Sequence, residues 1–228
     1  LCDVQQLAQA RLDVFADRVA DQVVGARASR TTHPLALNFM EQLSALVLDR
    51  PFAVENPFVL RTKTEVVGAL VSNGGADLIQ DSCSCTRTHG QRSVGWHCGC
   101  CSQCIDRRMA VVAAGATAHD PEADYHVPVF AGAKAKAEDQ TMAVSYVRHA
   151  LELSRMTADD LAERFNTEIS RAARAFPDQR RAVADLSDLH IRHGRAVETA
   201  IGSGIASHVN GLWGGGLPPT SLLGLVVA

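Results

Sequence analysis

The chain has 228 residues, is 46% hydrophobic and 21% charged, and carries a net charge of −3. These values suit a globular protein with a sizeable core, in one domain or two small ones, and argue against a general surface for nucleic acid or acidic lipid. The apolar run at 109–116 falls well short of the roughly 18 residues of a membrane span, and no basic-then-apolar leader opens the chain.

A helix is predicted over residues 3–24, with Leu7, Val14, Phe15, Val19 and Val23 at helical spacing. Residues 27–34 form a polar loop holding Arg27, Arg30 and His33, and Pro34 biases His33 away from helix and can start the next one. That helix runs from Leu35 to Leu48. Weak alternation over Phe52–Leu60 predicts a short strand leading into the Asn56-Pro57 turn. Thr62 is placed to cap a helix reaching Leu70, ended by Asn73-Gly74-Gly75.

A cysteine-rich segment follows, in which residues 86–96 read as an exposed excursion, and then a helix over 105–114. Residues 116–138, with Pro121 and Pro128, read as a linker. Beyond it the pattern is helical: 141–154, then a helix opened by Thr157 with Asp159 and Asp160 in its first turn, then 178–208, weakened by Gly194, Gly202 and Gly204. The Gly- and Pro-rich residues 211–228 read as a poorly ordered tail. The chain starts Leu1-Cys2-Asp3 rather than with Met, which reads as a fragment of a longer protein.

The cysteines carry the most information. Six of the seven, at positions 83, 85, 98, 100, 101 and 104, fall within 22 positions. Tetrahedral zinc takes four thiolates at about 2.3 Å, and Cys98-x2-Cys101-x2-Cys104 supplies three of them. The spacing leaves the fourth open between Cys83 and Cys85. Cys100, inside the first turn, is expected to point away. A disulfide framework suits a short secreted chain with dispersed cysteines, unlike this one. An iron–sulfur cluster lacks its usual Cys-Pro terminus here. Reduced thiols without an export signal imply a cytoplasmic protein.

Asn56-Pro57-Phe58, Thr62-Lys63-Thr64-Glu65-Val66-Val67, Ser82-Cys83-Ser84 and His97-Cys98-Gly99-x-Cys101-Ser102-Gln103-Cys104-x-x-Arg107, in that order, resemble the C-terminal half of 7-cyano-7-deazaguanine synthases. These are zinc-containing queuosine-pathway enzymes. The match covers about residues 25–115, with a fainter echo at Asp188-Leu189-His190-x-x-His193, and looks like a divergent branch that includes anti-phage defence proteins. It implies an overall α/β, PP-loop (Rossmann-like) fold. This chain would supply a mostly α part, with a short strand, a zinc-bound cysteine loop and a helical C-terminal extension. The organisation expected is 1–115 as part of the synthase-like domain, 116–138 as linker, 139–210 as helical extension and 211–228 as flexible tail.

The resemblance also implies a ligand set, Cys83, Cys98, Cys101 and Cys104 around structural Zn2+. It implies substrate-binding roles for Arg27, Arg30, Thr62, Lys63 and Arg107. Arginine forks suit phosphate or carboxylate, and Lys63 sits at a helix start, where amides also bind anions. Arg107, one turn past Cys104, could equally steady the thiolates. His97, beside a ligand, is expected to be no ligand itself, and the His190/His193 pair to serve packing.

In the family, ATP activates a carboxylate on a 7-deazaguanine, ammonia displaces the adenylate to give an amide, and a second activation yields the nitrile. For defence-type relatives the resemblance implies transfer of the base to a protein instead. The family's Ser-Gly-Gly-x-Asp-Ser loop, which cradles ATP, is missing from the 228 residues. Ser72-Asn73-Gly74-Gly75-Ala76-Asp77 follows a predicted helix rather than a strand, which is wrong for a phosphate loop. ATP would therefore be bound mainly outside this chain, which alone is expected to be inactive. The expected partners are a 7-deazaguanine-type small molecule, a protein acceptor and a second copy as homodimer, with neither membrane nor nucleic acid. A different reading is a non-catalytic zinc module for protein or nucleic-acid interaction, for which two Trp and two Tyr offer little base stacking.

Overall fold

The computed structural model describes residues 33–87 and 97–227. The helix expected over 3–24, the loop arginines Arg27 and Arg30, and most of the excursion at 86–96 lie outside the described residues. Nine α-helices occur among those described: α1 Pro34–Leu48, α2 Lys63–Ser72, α3 Asp77–Asp81, α4 Ser102–Ala113, α5 Ala137–Arg155, α6 Ala158–Arg164, α7 Asn166–Ala173, α8 Gln179–Trp213 and α9 Leu222–Val227. Short 3-10 turns at Thr117–His119 and Glu122–Asp124 follow α4.

The described residues hold no strand or sheet. The single ladder-like contact is an isolated parallel bridge between His97 and Tyr125. The mostly helical character expected of the chain is therefore observed, whereas the α/β architecture has no counterpart here. The strand expected over 52–60 is corrected for a local reason. Asn56 Oδ1 accepts the Phe58 N–H at 2.9 Å, and turn bonds run from Val59 N to Asn56 O and from Arg61 N to Phe58 O. These turns use the backbone groups a ladder would need, and Pro57 has no N–H to offer one.

Helix starts follow local chemistry. His33 Nδ1 accepts the Leu35 N–H at 3.2 Å ahead of Pro34 in the first turn of α1. Thr62 and Glu65 form a reciprocal capping box on α2, and Thr157 and Asp160 do the same on α6. The helix expected from Thr157 onward breaks at Phe165, whose φ of −114° separates α6 from α7 while its ring is buried.

At 35 residues, α8 is about 50 Å long at 1.5 Å per residue. It packs against α4, α5, α6, α7 and α9 and bends at His208, whose backbone is non-helical. Two glycines that read as helix-weakening explain how α8 packs so closely. A Cβ on Gly194 would lie 2.5 Å from the Ala150 carbonyl oxygen of α5, and one on Gly204 would lie 2.7 Å from the Phe130 ring.

The main core joins the cysteine segment to the C-terminal residues. Cys98, Cys101, Cys104, Ile105, Met109, Tyr125, Val129, Phe130, Val147, Val197, Leu222 and Leu223 are buried in one cluster. Two expectations fall with it. Residues 116–138 are anchored in the core by a few side chains, among them the buried Tyr125, Val129, Phe130 and Lys134. The tail is also built in: Lys134 N–H donates to Thr220 O, Leu223 N–H donates to Phe130 O, and Leu222 and Leu223 are fully buried. The glycines and prolines of 211–219 shape the turn between α8 and α9, and burial of two leucines then fixes the segment.

Helix α1 is the exception. None of its residues is buried, and Phe39, Met40, Leu43, Leu46 (80% exposed) and Val47 (75%) are all open.

Candidate metal centre

The sulfur atoms of Cys85, Cys98, Cys101 and Cys104 lie within 4.8 Å of one another, and all four residues are buried. Two separations are 3.9 Å (Cys98–Cys104) and 3.4 Å (Cys101–Cys104). Tetrahedral zinc with bonds of about 2.3 Å places its sulfurs roughly 3.8 Å apart. No disulfide joins any of the six described cysteines.

Three local features build the cage. Gly99 adopts φ 75°, and a Cβ there would fall 1.7 Å from the Val127 carbonyl oxygen, so the turn closes tightly against the segment before Phe130. That turn aims the amide N–H groups of Cys100 and Cys101 at Cys98 Sγ, at 3.4 and 3.3 Å. Cys101 then caps α4, so its sulfur and that of Cys104 sit at the positive end of the helix, which favours thiolate. Hydrogen bonding with Cys104, Cys85 and Cys98, in that order, holds the Cys101 thiol well below its ordinary pKa, while Cys98 and Cys104 are pushed up by sharing a proton with Cys101. Four closely spaced sulfurs that cannot all ionise alone are what a divalent cation relieves. The donor set fits zinc.

The fourth position belongs to Cys85 and not to Cys83, the assignment the resemblance implies. Arg107 holds the residues just ahead of it. Its Nη1 donates to Ser82 O (3.1 Å) and Ser82 Oγ (2.7 Å), and its Nη2 donates to Ile79 O. Residues 79–82 are thereby pinned beside the guanidinium, deeper along α4. Three residues on, Cys85 joins the sulfur group, and the Thr86 backbone N–H donates to Cys101. Cys83 is half-buried, packs against the same core cluster and is not in the sulfur group. Cys100 is buried but outside the sulfur group, as expected.

Arg107 is 2% exposed, and its Nε donates to Asp120 Oδ1 at 2.7 Å. Asp120 also accepts from the Tyr125 hydroxyl (2.9 Å) and Arg108 Nη1 (3.0 Å). The Tyr125 ring packs 5.0 Å from His97. His97 is not part of the sulfur group; burial foremost, then the nearby Arg107 charge, lowers its pKa to about 4, so the ring is neutral.

Lys63 is equally enclosed. Its ammonium meets Asp106 at 2.7 Å, with the two side chains 5% and 2% exposed. Tyr146 donates its hydroxyl to the other Asp106 oxygen at 2.8 Å. Burial pushes the Asp106 carboxyl up, but Lys63 and His193 together bring it below its ordinary value. Thr62 uses its hydroxyl on its own helix cap. Of the expected substrate-binding residues, Thr62, Lys63 and Arg107 therefore stand beside one another in the architecture around α4, with their polar groups engaged by protein.

Two cations flank the sulfurs that sequence reasoning did not single out. Lys134 is fully buried; desolvation lowers its pKa, and charge on Cys100, Asp139, Cys98 and Cys104 opposes that. Arg87 pairs with Asp139, which raises its pKa. Both cations interact electrostatically with the cluster and would offset the negative charge of four thiolates around a metal. Nothing in local spacing announces either one. Among the described residues no helix is long and apolar enough to cross a membrane.

The chain matches no protein-family profile, no curated protein and no solved structure.

Proposed function

We propose that the chain is the zinc-stapled, helical part of a 7-cyano-7-deazaguanine synthase-like enzyme, with Cys85, Cys98, Cys101 and Cys104 holding a structural zinc. The observation that carries this reading is four buried sulfurs within 4.8 Å in the segment that bears the ordered motifs. Bound there, zinc supplies cross-linking: four thiolates leave no open position for water or substrate, so no Lewis-acid step belongs to it. The protein's own residues then set the geometry. Arg107 and Asp120 fix the chain entering the site, Lys63 and Asp106 join α2 to α4, and Arg87 and Lys134 balance charge. Activation of a 7-deazaguanine carboxylate requires an ATP-binding loop that these 228 residues do not contain.

Metal analysis of the purified chain should give one zinc. Cys85→Ala and Cys101→Ala should each lose it and unfold, while Cys83→Ala keeps it; zinc retained in Cys85→Ala would overturn the ligand set. Calorimetry with a 7-carboxy-7-deazaguanine tests the substrate class independently of the metal, and absence of binding by the zinc-loaded chain counts against the enzyme reading. The chain alone is expected to release no AMP from ATP.

A second reading, a non-catalytic zinc module for protein interaction, is favoured by one feature. Helix α1 exposes five large apolar side chains at 52–80% with none buried, and contiguous apolar surface of that kind marks interaction sites.

A further inference from the structure

A cleft of about 760 Å³ opens between the C-terminal half of α5 and helix α6. Its volume falls in the usual range for small-molecule sites. Three arginines line it, Arg148, Arg155 and Arg164, together with His149 and the apolar Leu151 and Met156. The cleft shares no residue with the cysteine site.

The charges in it are not equivalent. Arg164 is taken: it pairs with Glu152 and lies 5.4 Å over the Phe165 ring. Asp160 closes the α6 capping box, accepting from Thr157 N at 3.0 Å and Thr157 Oγ1 at 2.6 Å. Arg148 and Arg155, two turns apart on one face of α5, have no carboxylate partner among the described residues. A protein with a net charge of −3 thus leaves two guanidinium groups of one helix face without an ion pair at the wall of a concavity. Guanidinium forks match phosphate oxygens bidentately.

The wall behind them is also unusual. His149 is held neutral mainly by burial, and its ring meets Phe165 edge-on at 6.0 Å. Further in, the buried His190 interacts electrostatically with both His149 and His193. His193 in turn faces the Tyr146 ring at 6.1 Å and the Asp106 carboxylate. A line of titratable side chains therefore runs from the cleft to the Lys63–Asp106 pair. Perturbed groups gathered behind a cleft are a mark of functional sites.

We propose that this cleft binds a phosphate-bearing small molecule, with its phosphates on Arg148 and Arg155. The overall negative charge and the concave shape favour a small anion over a nucleic-acid polymer, which needs an extended basic face. The proposal does not depend on the zinc reading.

The test is isothermal titration of the zinc-loaded chain with inorganic tripolyphosphate at fixed ionic strength, with parallel arms for citrate and a nucleoside triphosphate. One saturable site is expected, weakened at least about tenfold by the double variant Arg148→Ala/Arg155→Ala, as loss of charge-assisted contacts to phosphate requires. The control Arg180→Ala/Arg181→Ala removes equal charge outside the cleft and should leave affinity unchanged. Thermal unfolding of each variant shows whether it is folded. A nucleoside triphosphate binding more tightly than tripolyphosphate identifies a nucleotide source, and equal affinity identifies the phosphate chain alone; either supports the proposal. No saturable binding, equal binding of citrate, or indifference to the double variant overturns it.

Discussion

Lys63 and Arg107 lie in the segments that carry the family-like motifs, and both are sealed from solvent and matched by carboxylates, Asp106 and Asp120. Arg148 and Arg155 lie in no motif, stay exposed on α5 and have no such match among the described residues. The same kind of charge thus does two different things. A buried cation with a full set of partners holds elements together, and removing its partner leaves an ion stranded in a medium that solvates it poorly. An exposed and unmatched cation in a cleft adds little to stability but remains free for an anion from outside. Motif membership alone does not separate the two cases; the hydrogen-bond inventory does.

This contrast can be broken by experiment, and the largest effect should come from the buried side. Asp106→Ala strands the Lys63 ammonium and should cost about 3–5 kcal/mol in denaturant unfolding. The paired variant Lys63→Met/Asp106→Leu should recover much of that loss, because replacing both partners removes the stranded ion. A double variant no more stable than Asp106→Ala would show that the pair is not the unit. Arg107→Lys comes next. It keeps a charge but cannot reach Asp120, Ser82 and Ile79 at once, and should cost about 1.5–3 kcal/mol by the same measurement.

A smaller, pH-dependent effect follows from the histidines. His97, His149, His190 and His193 all have pKa values depressed by burial, His97 to about 4. A depressed histidine binds its proton more weakly when folded than when unfolded. Its contribution is therefore fully present above the unfolded value near 6.5 and is lost as pH falls through the folded value. The thermal midpoint should hold down to about pH 6.5 and then decline towards pH 4, and NMR titration should show the His97 and His190 rings still neutral at pH 6. Titration of either ring with a pKa at or above its ordinary value would contradict the burial account. The smallest effect belongs to the exposed side: Arg148→Ala and Arg155→Ala should each move stability by less than about 0.5 kcal/mol, and a larger loss would place them with the structural cations.

How much of this was legible in the sequence varied with the range of the interaction. Caps and turns were readable because their partners are three or four residues apart, as at Thr62 with Glu65 and Thr157 with Asp160. The cysteine spacing placed three of the four sulfurs, since Cys98, Cys101 and Cys104 share one turn and one helix start. The fourth was not readable. The segment that leads to Cys85 is held at residues 79–82 by Arg107, a contact across 25 positions or more that local spacing does not reveal. Residues 116–138 and 211–228 misled for a related reason. Their proline and glycine content describes bends, while their burial depends on Phe130 meeting Leu223 from the far end of the chain. The strand expected over 52–60 failed because alternation needs a neighbouring strand to matter, and the described residues provide none.

The pairing of residues 130–134 with 220–223 also bears on the order of events during synthesis. All four sulfurs have been made by residue 104, whereas Leu223, which helps close the core around them, comes 119 residues later. At a ribosomal pace of 5–20 residues per second that interval is roughly 6–24 s. The thiolates are on the growing chain, able to take up a cation or meet an oxidant, before the hydrophobic shell that shields them can assemble.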